Sequence, residues 1–185
     1  AFRGPTTHDA FKLEGSSNDP DLEAEEARNT EIGFDYTYQD FRLSGEVYRS
    51  RIDNAISDPL FGPIRYENVG DLESEGFLIS TGYQWRRLSA GLSFHQNDAE
   101  VDGEPLTVYE FNGLGNRIGD TWIADLAYSW DRNLEFGWQG RFVQGIDNLE
   151  TSVGEIDKPG YGVHDLFVHW LPTGNEDLRL TLTVK

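Results

Sequence analysis

The residue types that most often carry chemistry are sparse in this chain of 185 residues, which contains four histidines and neither cysteine nor methionine. The lack of cysteine excludes disulfides, thiolate nucleophiles and cysteine-ligated zinc. His164, Asp165 and His169 lie close together in the sequence, but adjacent strand residues point to opposite faces, and no serine or cysteine nucleophile completes a hydrolase set. The residues therefore predict no hydrolase site of this kind.

Ligand-binding motifs of the common kinds are also missing. The acidic segment 98–104 resembles a calcium-binding loop, but Tyr109 stands where that loop needs a bidentate glutamate. No phosphate-binding loop or dinucleotide fingerprint occurs. The formal net charge of −18, from 33 acidic and 15 basic residues, would repel nucleic-acid phosphates. DNA and RNA are therefore not expected partners.

Period-two alternation of apolar and polar residues dominates the chain, and helical periodicity is confined to about residues 21–28. Eight alternating runs predict strands, at residues 30–39, 41–52, 76–85, 88–95, 121–130, 134–143, 163–171 and 178–185. The sequence therefore predicts an all-β, antiparallel meander.

One face of the predicted strands is apolar. In six of the eight runs this face carries no charged residue, whereas the opposite face is polar. In the second run Arg49 and Arg51 fall on the apolar face. They come late in the strand, where outer lipid headgroups would lie. The seventh run is ambiguous, because placing Leu166, Val168 and Trp170 outward also places His164 outward. This alternation fits both a soluble β-sandwich and a transmembrane barrel.

The connections between the strands favour the barrel. Short turns follow Tyr38, Trp85, Trp130 and Leu171, and they alternate with long polar loops at about residues 53–74, 96–120 and 144–162. In a meander this puts every short turn at one end, as in outer-membrane barrels. The strands that run into short turns end in aromatic residues, which we predict to form a girdle at the membrane interface: Tyr36, Tyr38, Tyr83, Trp85, Tyr128, Trp130 and Trp170.

Several ordered motifs resemble the C-terminal part of the TonB-dependent outer-membrane receptors. Residues 1–6 resemble the Phe-Arg-Ala-Pro box of that family, and residues 18–25 resemble its Asn-Pro-Asn-Leu box. Residues 31–34, 66–77 and 178–185 resemble three later blocks, in the family's order. The resemblance implies that residues 1–185 supply the C-terminal portion of a large transmembrane β-barrel, about eight strands of about 22. The plug domain and the final strand would then lie outside this sequence.

The two boxes around His8, together with residues 159–167, are most similar to the heme and hemoglobin receptor branch. In that branch the resemblance implies that His8 binds heme iron, for which a neutral imidazole is a suitable ligand. His95, on the polar face near a loop, is a second ligand-binding candidate. Heme is expected as the transported ligand and not as a resident cofactor, with an iron-siderophore complex as the next choice.

The resemblance also implies location and partners. It places the protein in the cell outer membrane, in contact with outer-membrane lipid, and it implies a TonB energy-transducing complex acting through the N-terminal part of the receptor. The ligand would be heme, a hemoprotein or a siderophore complex. Two alternatives stay open from the residues alone: a self-contained small outer-membrane β-barrel with a structural or adhesive role, and a soluble β-sandwich that binds a partner.

Overall fold

The structure is a computed structural model that describes residues 2–3, 21–57, 67–106, 117–151, 154–172 and 178–185. All regular secondary structure within these ranges is β-strand. The described residues accordingly contain no helix that could cross a bilayer. His8 lies outside them, as do residues 4–20 and 107–116.

The main sheet contains ten strands, and eight of them follow one another along its meander. They are β2 (Glu25–Tyr38), β3 (Phe41–Asp53), β6 (Leu72–Trp85), β7 (Leu88–Val101), β9 (Thr121–Ser129), β10 (Leu134–Val143), β13 (Tyr161–Trp170) and β14 (Leu180–Val184). Six short strands accompany them: β1 (Phe2–Arg3), β4 (Ile56–Ser57), β5 (Glu67–Asn68), β8 (Glu104–Pro105), β11 (Ile146–Thr151) and β12 (Gly154–Lys158). All eight strands predicted from the alternation are therefore confirmed.

Two details of the sequence prediction are corrected. The weak helical signal at residues 21–28 is wrong, because Glu25 begins β2 and Arg28 pairs with Arg51 of β3. The strands β2, β3, β6 and β7 also extend at their loop ends beyond the alternating runs. These extensions are polar, so apolar alternation ends before the backbone pairing does.

The long strands follow one another in the order β2-β3-β6-β7-β9-β10-β13-β14, each antiparallel to its neighbours, as the meander requires. β2 and β14 do not pair with each other, so the described sheet is open. The other described sheets are the two-stranded pairs β4-β5 and β11-β12. Neither a closed eight-stranded barrel nor a sandwich of two large sheets is present in the described ranges.

The strand register places the apolar side chains on a single face. Thr81 pairs with Leu92, Leu92 with Ala124, and Ala124 with Gly140, so one row crosses four strands on the same side. The row continues to His164 on β13. The ambiguous seventh strand is thus settled: His164 and the alternate residues up to Trp170 share the apolar face.

The buried apolar side chains lie at the long-loop end of the sheet, in its short strands, its loops or the last residue of a long strand. The buried members are Ala55, Ile56, Val101, Leu106, Val143 and Leu149. Strand residues such as Ile32 and Leu182 expose 72% and 66% of their surface. An apolar face of this extent is stable only when a non-aqueous medium or another surface covers it.

Two of the short turns contain only two residues. Gln39-Asp40 and Arg86-Arg87 connect long strands, and Gln39 and Arg86 have φ values of 53° and 54°. Left-handed backbone at the first turn position lets the chain reverse within two residues of a hairpin. The hairpins are therefore closed tightly at this end of the sheet.

Candidate functional site

The outward face changes from apolar to charged between two adjacent rows of the sheet. Val47, Phe77 and Gln96 form the last uncharged row across β3, β6 and β7. From Phe77 to Trp85 the strand rises about 21 Å along a barrel axis, at about 3.4 Å per residue and about 40° of tilt. This height is close to the apolar band of about 25 Å in membrane barrels. The apolar face therefore has the height of a bilayer core.

The seven aromatic residues predicted as an interfacial girdle lie on the exposed face at the short-turn end. Their exposed fractions range from 40% for Tyr128 to 60% for Tyr38 and Trp130. Arg86 lies 5.7 Å from the ring centroid of Trp85, and Arg87 donates a hydrogen bond to the carbonyl of Trp130. These arginines suit the headgroup level. The interfacial role of the aromatic residues stays a prediction.

At the opposite end, ion pairs link the strands just beyond the apolar band. The row next above it contains Arg49, Glu75 and Asp98, and the following row contains Arg51, Glu73 and Glu100. We call these two rows the outer charged rows. Arg49 binds Glu73, and the Arg51 Nη1 atom lies 2.7 Å from the Glu73 Oε1 atom. The two arginines thus hold β3 against β6 at the membrane boundary.

Arg51 also connects the strand to the loops. Its guanidinium binds Asp53 and Asp71 in addition to Glu73. Hydrogen bonding from Arg51 holds the pKa of Asp53 below its usual range, and Arg49 does the same for the pKa of Glu73. Because both carboxyl pKa values are lowered, these ion pairs persist at neutral pH and are lost only as the pH falls through the lowered values.

The polar face holds a hydrogen-bonded group around His95, one of the predicted binding residues. We call Tyr48, Ser74, His95 and Asn97 the luminal cluster. The Tyr48 hydroxyl lies 2.8 Å from His95 Nε2 and donates a 2.8 Å hydrogen bond to Asn97 Oδ1. Ser74 Oγ donates to the same Asn97 oxygen at 2.7 Å. Three strands, β3, β6 and β7, therefore contribute to one fixed polar surface.

A glycine makes room for this arrangement. A Cβ atom built on Gly76 would lie 2.7 Å from the Tyr48 hydroxyl oxygen and 2.9 Å from its Cζ atom. The Tyr48 ring therefore lies across β6, where only glycine leaves space. It stacks on the His95 ring with centroids 6.0 Å apart and an interplanar angle of 26°. His95 is thus oriented by packing as well as by its hydrogen bond.

Replacing Tyr48 by phenylalanine is expected to destabilise the full-length receptor by about 1–3 kcal/mol, because Asn97 and His95 lose their shared partner. Urea unfolding in lipid vesicles, followed by intrinsic fluorescence, measures this change. Tyr161→Phe is the matched control, since the Tyr161 hydroxyl makes no hydrogen bond within the described ranges. Equal stability of both variants would show that the Tyr48 hydroxyl contributes nothing.

The remaining histidines are placed separately. His8 is outside the described residues, so its predicted role as a heme-iron ligand stays untested. His164 lies on the apolar face, where Trp138 Nε1 donates to its Nδ1 atom at 3.2 Å. His169 lies on the polar face 2.9 Å from the Thr181 hydroxyl. The described part of the chain brings no group of three or more histidine or acidic residues into a metal-binding arrangement.

Arg141 on the polar face forms no ion pair with the carboxylates nearby on that face, among the residues that the structure describes. Arg141 lies on the same face of the sheet as Glu135 and Asp125. Within the described ranges, the ion pairs formed involve Arg28, Arg49, Arg51 and Arg117 instead. Glu135 accepts a hydrogen bond from Ser129 at 3.3 Å. Among the described residues, Arg141 therefore forms no ion pair with these two carboxylates.

An antiparallel meander with one apolar face of bilayer height, short turns at one end and long loops at the other defines a segment of a transmembrane β-barrel. Residues 1–185 match the family described as TonB dependent receptor-like, beta-barrel. The chain belongs to this family, whose barrels reside in the outer membrane.

Relatives of known description agree with this assignment. The chain is 21% identical to the TonB-dependent heme receptor A of Haemophilus ducreyi, over 85% of this chain and 24% of that protein. The FrpB iron transporter from Neisseria meningitidis is 29% identical, with a TM-score of 0.71 over 90% of this chain and 27% of that one. The ferric-catecholate import receptor Fiu from E. coli K12 is 19% identical, with a TM-score of 0.65 over 99% of this chain and 27% of the other. The chain thus spans about a quarter of the length of each.

Proposed function

We propose that this chain forms part of the barrel of a receptor that imports an iron-bearing ligand, with heme as the first candidate. The observation that carries the proposal is the family match over residues 1–185. A relative described as a heme receptor and another described as an iron transporter support iron as the cargo. Such import is binding and passage, and the receptor catalyses no reaction.

The two faces of the sheet suit this task. The apolar face would contact lipid, while the polar face would line the passage. Selective binding would use the long loops, and the luminal cluster would present fixed polar atoms on the wall below them. Passage would follow a rearrangement of an N-terminal plug that the TonB energy-transducing complex contacts. The plug and that contact belong to the full-length receptor.

Replacing His8 by alanine tests the heme assignment. In the full-length receptor we expect heme affinity to fall at least about tenfold, corresponding to about 1.4 kcal/mol, because iron loses an imidazole ligand. Absorbance titration with heme measures the affinity, and the Soret band reports the ligand change. His169→Ala is the control, because His169 lies near the short-turn end and bonds to Thr181. An unchanged affinity in the His8 variant would remove this residue from the site.

An iron-siderophore complex is the second candidate cargo. The neighbour described as an iron transporter, 29% identical to this chain, supports iron without specifying heme. Competition between heme and a ferric siderophore for the full-length receptor separates the two candidates. If heme binds saturably and the ferric siderophore does not displace it, heme is supported as the cargo. If the siderophore binds tightly and heme shows no saturable binding, the iron-siderophore complex is supported.

A further inference from the structure

We propose that a cavity on the polar face binds the zwitterionic group of an amino acid, a carboxylate and an ammonium carried on one carbon atom. The cavity has a volume of about 360 Å³ and is lined by residues of β10 and β13: Gln139, Arg141, Tyr161, Val163 and Asp165. We call it the wall cavity. The proposal goes beyond iron import, since no lining residue belongs to the luminal cluster or is a predicted heme ligand.

The strand register places the lining side chains in three successive rows on one face. Gln139 pairs with Asp165. In the next row toward the long loops Arg141 pairs with Val163, and Tyr161 lies one row further. Because alternate residues of a strand share a face, a guanidinium, a carboxylate, an amide and a phenol hydroxyl converge on the wall cavity.

Arg141 has no carboxylate directly beside it. Its cross-strand neighbours are Ile123 on β9 and Val163 on β13, both apolar. Asp125, on β9 toward the short turns, leans over β7 instead, because a Cβ atom built on Gly91 would lie 2.3 Å from the Asp125 Oδ1 atom. Among the described residues, Arg141 accordingly forms no ion pair. Its guanidinium keeps five N–H donors, and two of them can bind one carboxylate in parallel.

Asp165 supplies the opposite charge. Its Oδ1 atom is buried and accepts no hydrogen bond from the described part of the chain. An acceptor left without a donor in this way is unfavourable and uncommon in native proteins. The terminal torsion of an aspartate is soft, so its carboxylate can turn an oxygen toward a donor. A donor held in the wall cavity would therefore give Asp165 the partner that it lacks.

The two charges decide the class of ligand. Arg141 and Asp165 line one cavity, yet no ion pair joins them within the described ranges. A lone ligand carboxylate would be repelled by Asp165, and a lone ammonium would be repelled by Arg141. A ligand that carries both groups pairs each charge with its opposite. Tyr161 and Val163, 54% and 43% exposed, offer apolar surface to the rest of the ligand.

The test titrates the detergent-purified full-length receptor with L-phenylalanine and measures binding by equilibrium dialysis. Phenylpropionate, which lacks the ammonium, and phenethylamine, which lacks the carboxylate, should each bind wild type about tenfold more weakly. Arg141→Gln should weaken phenylalanine binding about tenfold, because charge-assisted hydrogen bonds are lost. Asp165→Asn should weaken phenylalanine binding to a similar extent but should not weaken phenylpropionate binding, since it removes a repulsion.

Arg42→Gln is the matched control. Arg42 lies on the polar face of β3, where it pairs with Gly82, away from β10 and β13, so this variant should bind phenylalanine like wild type. Heat-modifiable migration on gels verifies that each variant is folded.

Wild-type affinity for phenylalanine in Arg141→Gln would overturn the proposal. Equal affinity of wild type for phenylalanine and phenylpropionate would do so without any variant. Absence of saturable phenylalanine binding would also overturn it, and is the result expected if another segment of the receptor fills the wall cavity. Heme titration tests the import function separately, so the two failures are distinguishable.

Discussion

Replacing Leu92 by arginine is expected to destabilise the membrane-inserted receptor by about 2–4 kcal/mol, the cost of a cation on the lipid face at mid-bilayer. Leu92 lies on the apolar face with 43% of its surface exposed. It pairs with Thr81, midway between Phe77 and Trp85 on β6. Unfolding in urea from lipid vesicles gives the free energy of unfolding, and the folded fraction on gels gives a second measure.

The adjacent position supplies the control. Ser93 points to the polar face at the same depth, where the Ser80 hydroxyl donates to it at 2.9 Å. An arginine at position 93 can remain hydrated, so Ser93→Arg should cost less than about 1 kcal/mol beyond the loss of that neutral hydrogen bond. A larger loss for Ser93→Arg than for Leu92→Arg would mean that the assignment of the two faces is reversed.

Much of the fold could be predicted because strand alternation has a period of two and a lipid-facing surface excludes charge. In β9 and β10 these rules act together, and the predicted and observed strands agree to within one residue. The rules fail where the strand leaves the bilayer. Charged residues occupy both faces of Glu25–Arg28, and Leu72–Glu75 is mostly polar, so the pairing of these segments leaves no apolar alternation in the sequence.

The sites were less accessible to prediction, because their contacts cross between strands. His95 is predicted to bind ligand from its position on the polar face, and that role stays a prediction, but its hydrogen-bond partner Tyr48 is 47 residues away in the chain. Only the register between β3, β6 and β7 brings them together. Gly76, between a polar stretch at residues 73–75 and the apolar residues 77–79, was an available signal, since glycine inside a strand often marks a close approach. The position of Arg49 and Arg51 in the sequence predicts a place near outer headgroups, but it does not reveal their shared partner Glu73.

Gly76 is therefore expected to be among the least substitutable residues of the polar face. A Cβ atom there would lie 2.2 Å from the Gln96 carbonyl oxygen, which belongs to the paired backbone of β7. It would also collide with the Tyr48 ring. Backbone cannot move aside as a flexible side chain can, so Gly76→Ala should destabilise the full-length receptor by about 1–3 kcal/mol.

Gly82→Ala is a close control, because Gly82 lies on the same face of β6 and its Cβ would meet only the Ala90 carbonyl, at 3.8 Å. That variant should be neutral or more stable by up to about 1 kcal/mol, since alanine loses less backbone entropy than glycine. Unfolding of both variants in vesicles measures the difference.

Combining Gly76→Ala with Tyr48→Ala separates the two contacts of Gly76. Removing the Tyr48 ring relieves its collision and recovers part of the stability, while the contact with the Gln96 carbonyl persists. Full recovery would place the whole requirement for glycine on Tyr48 and the luminal cluster.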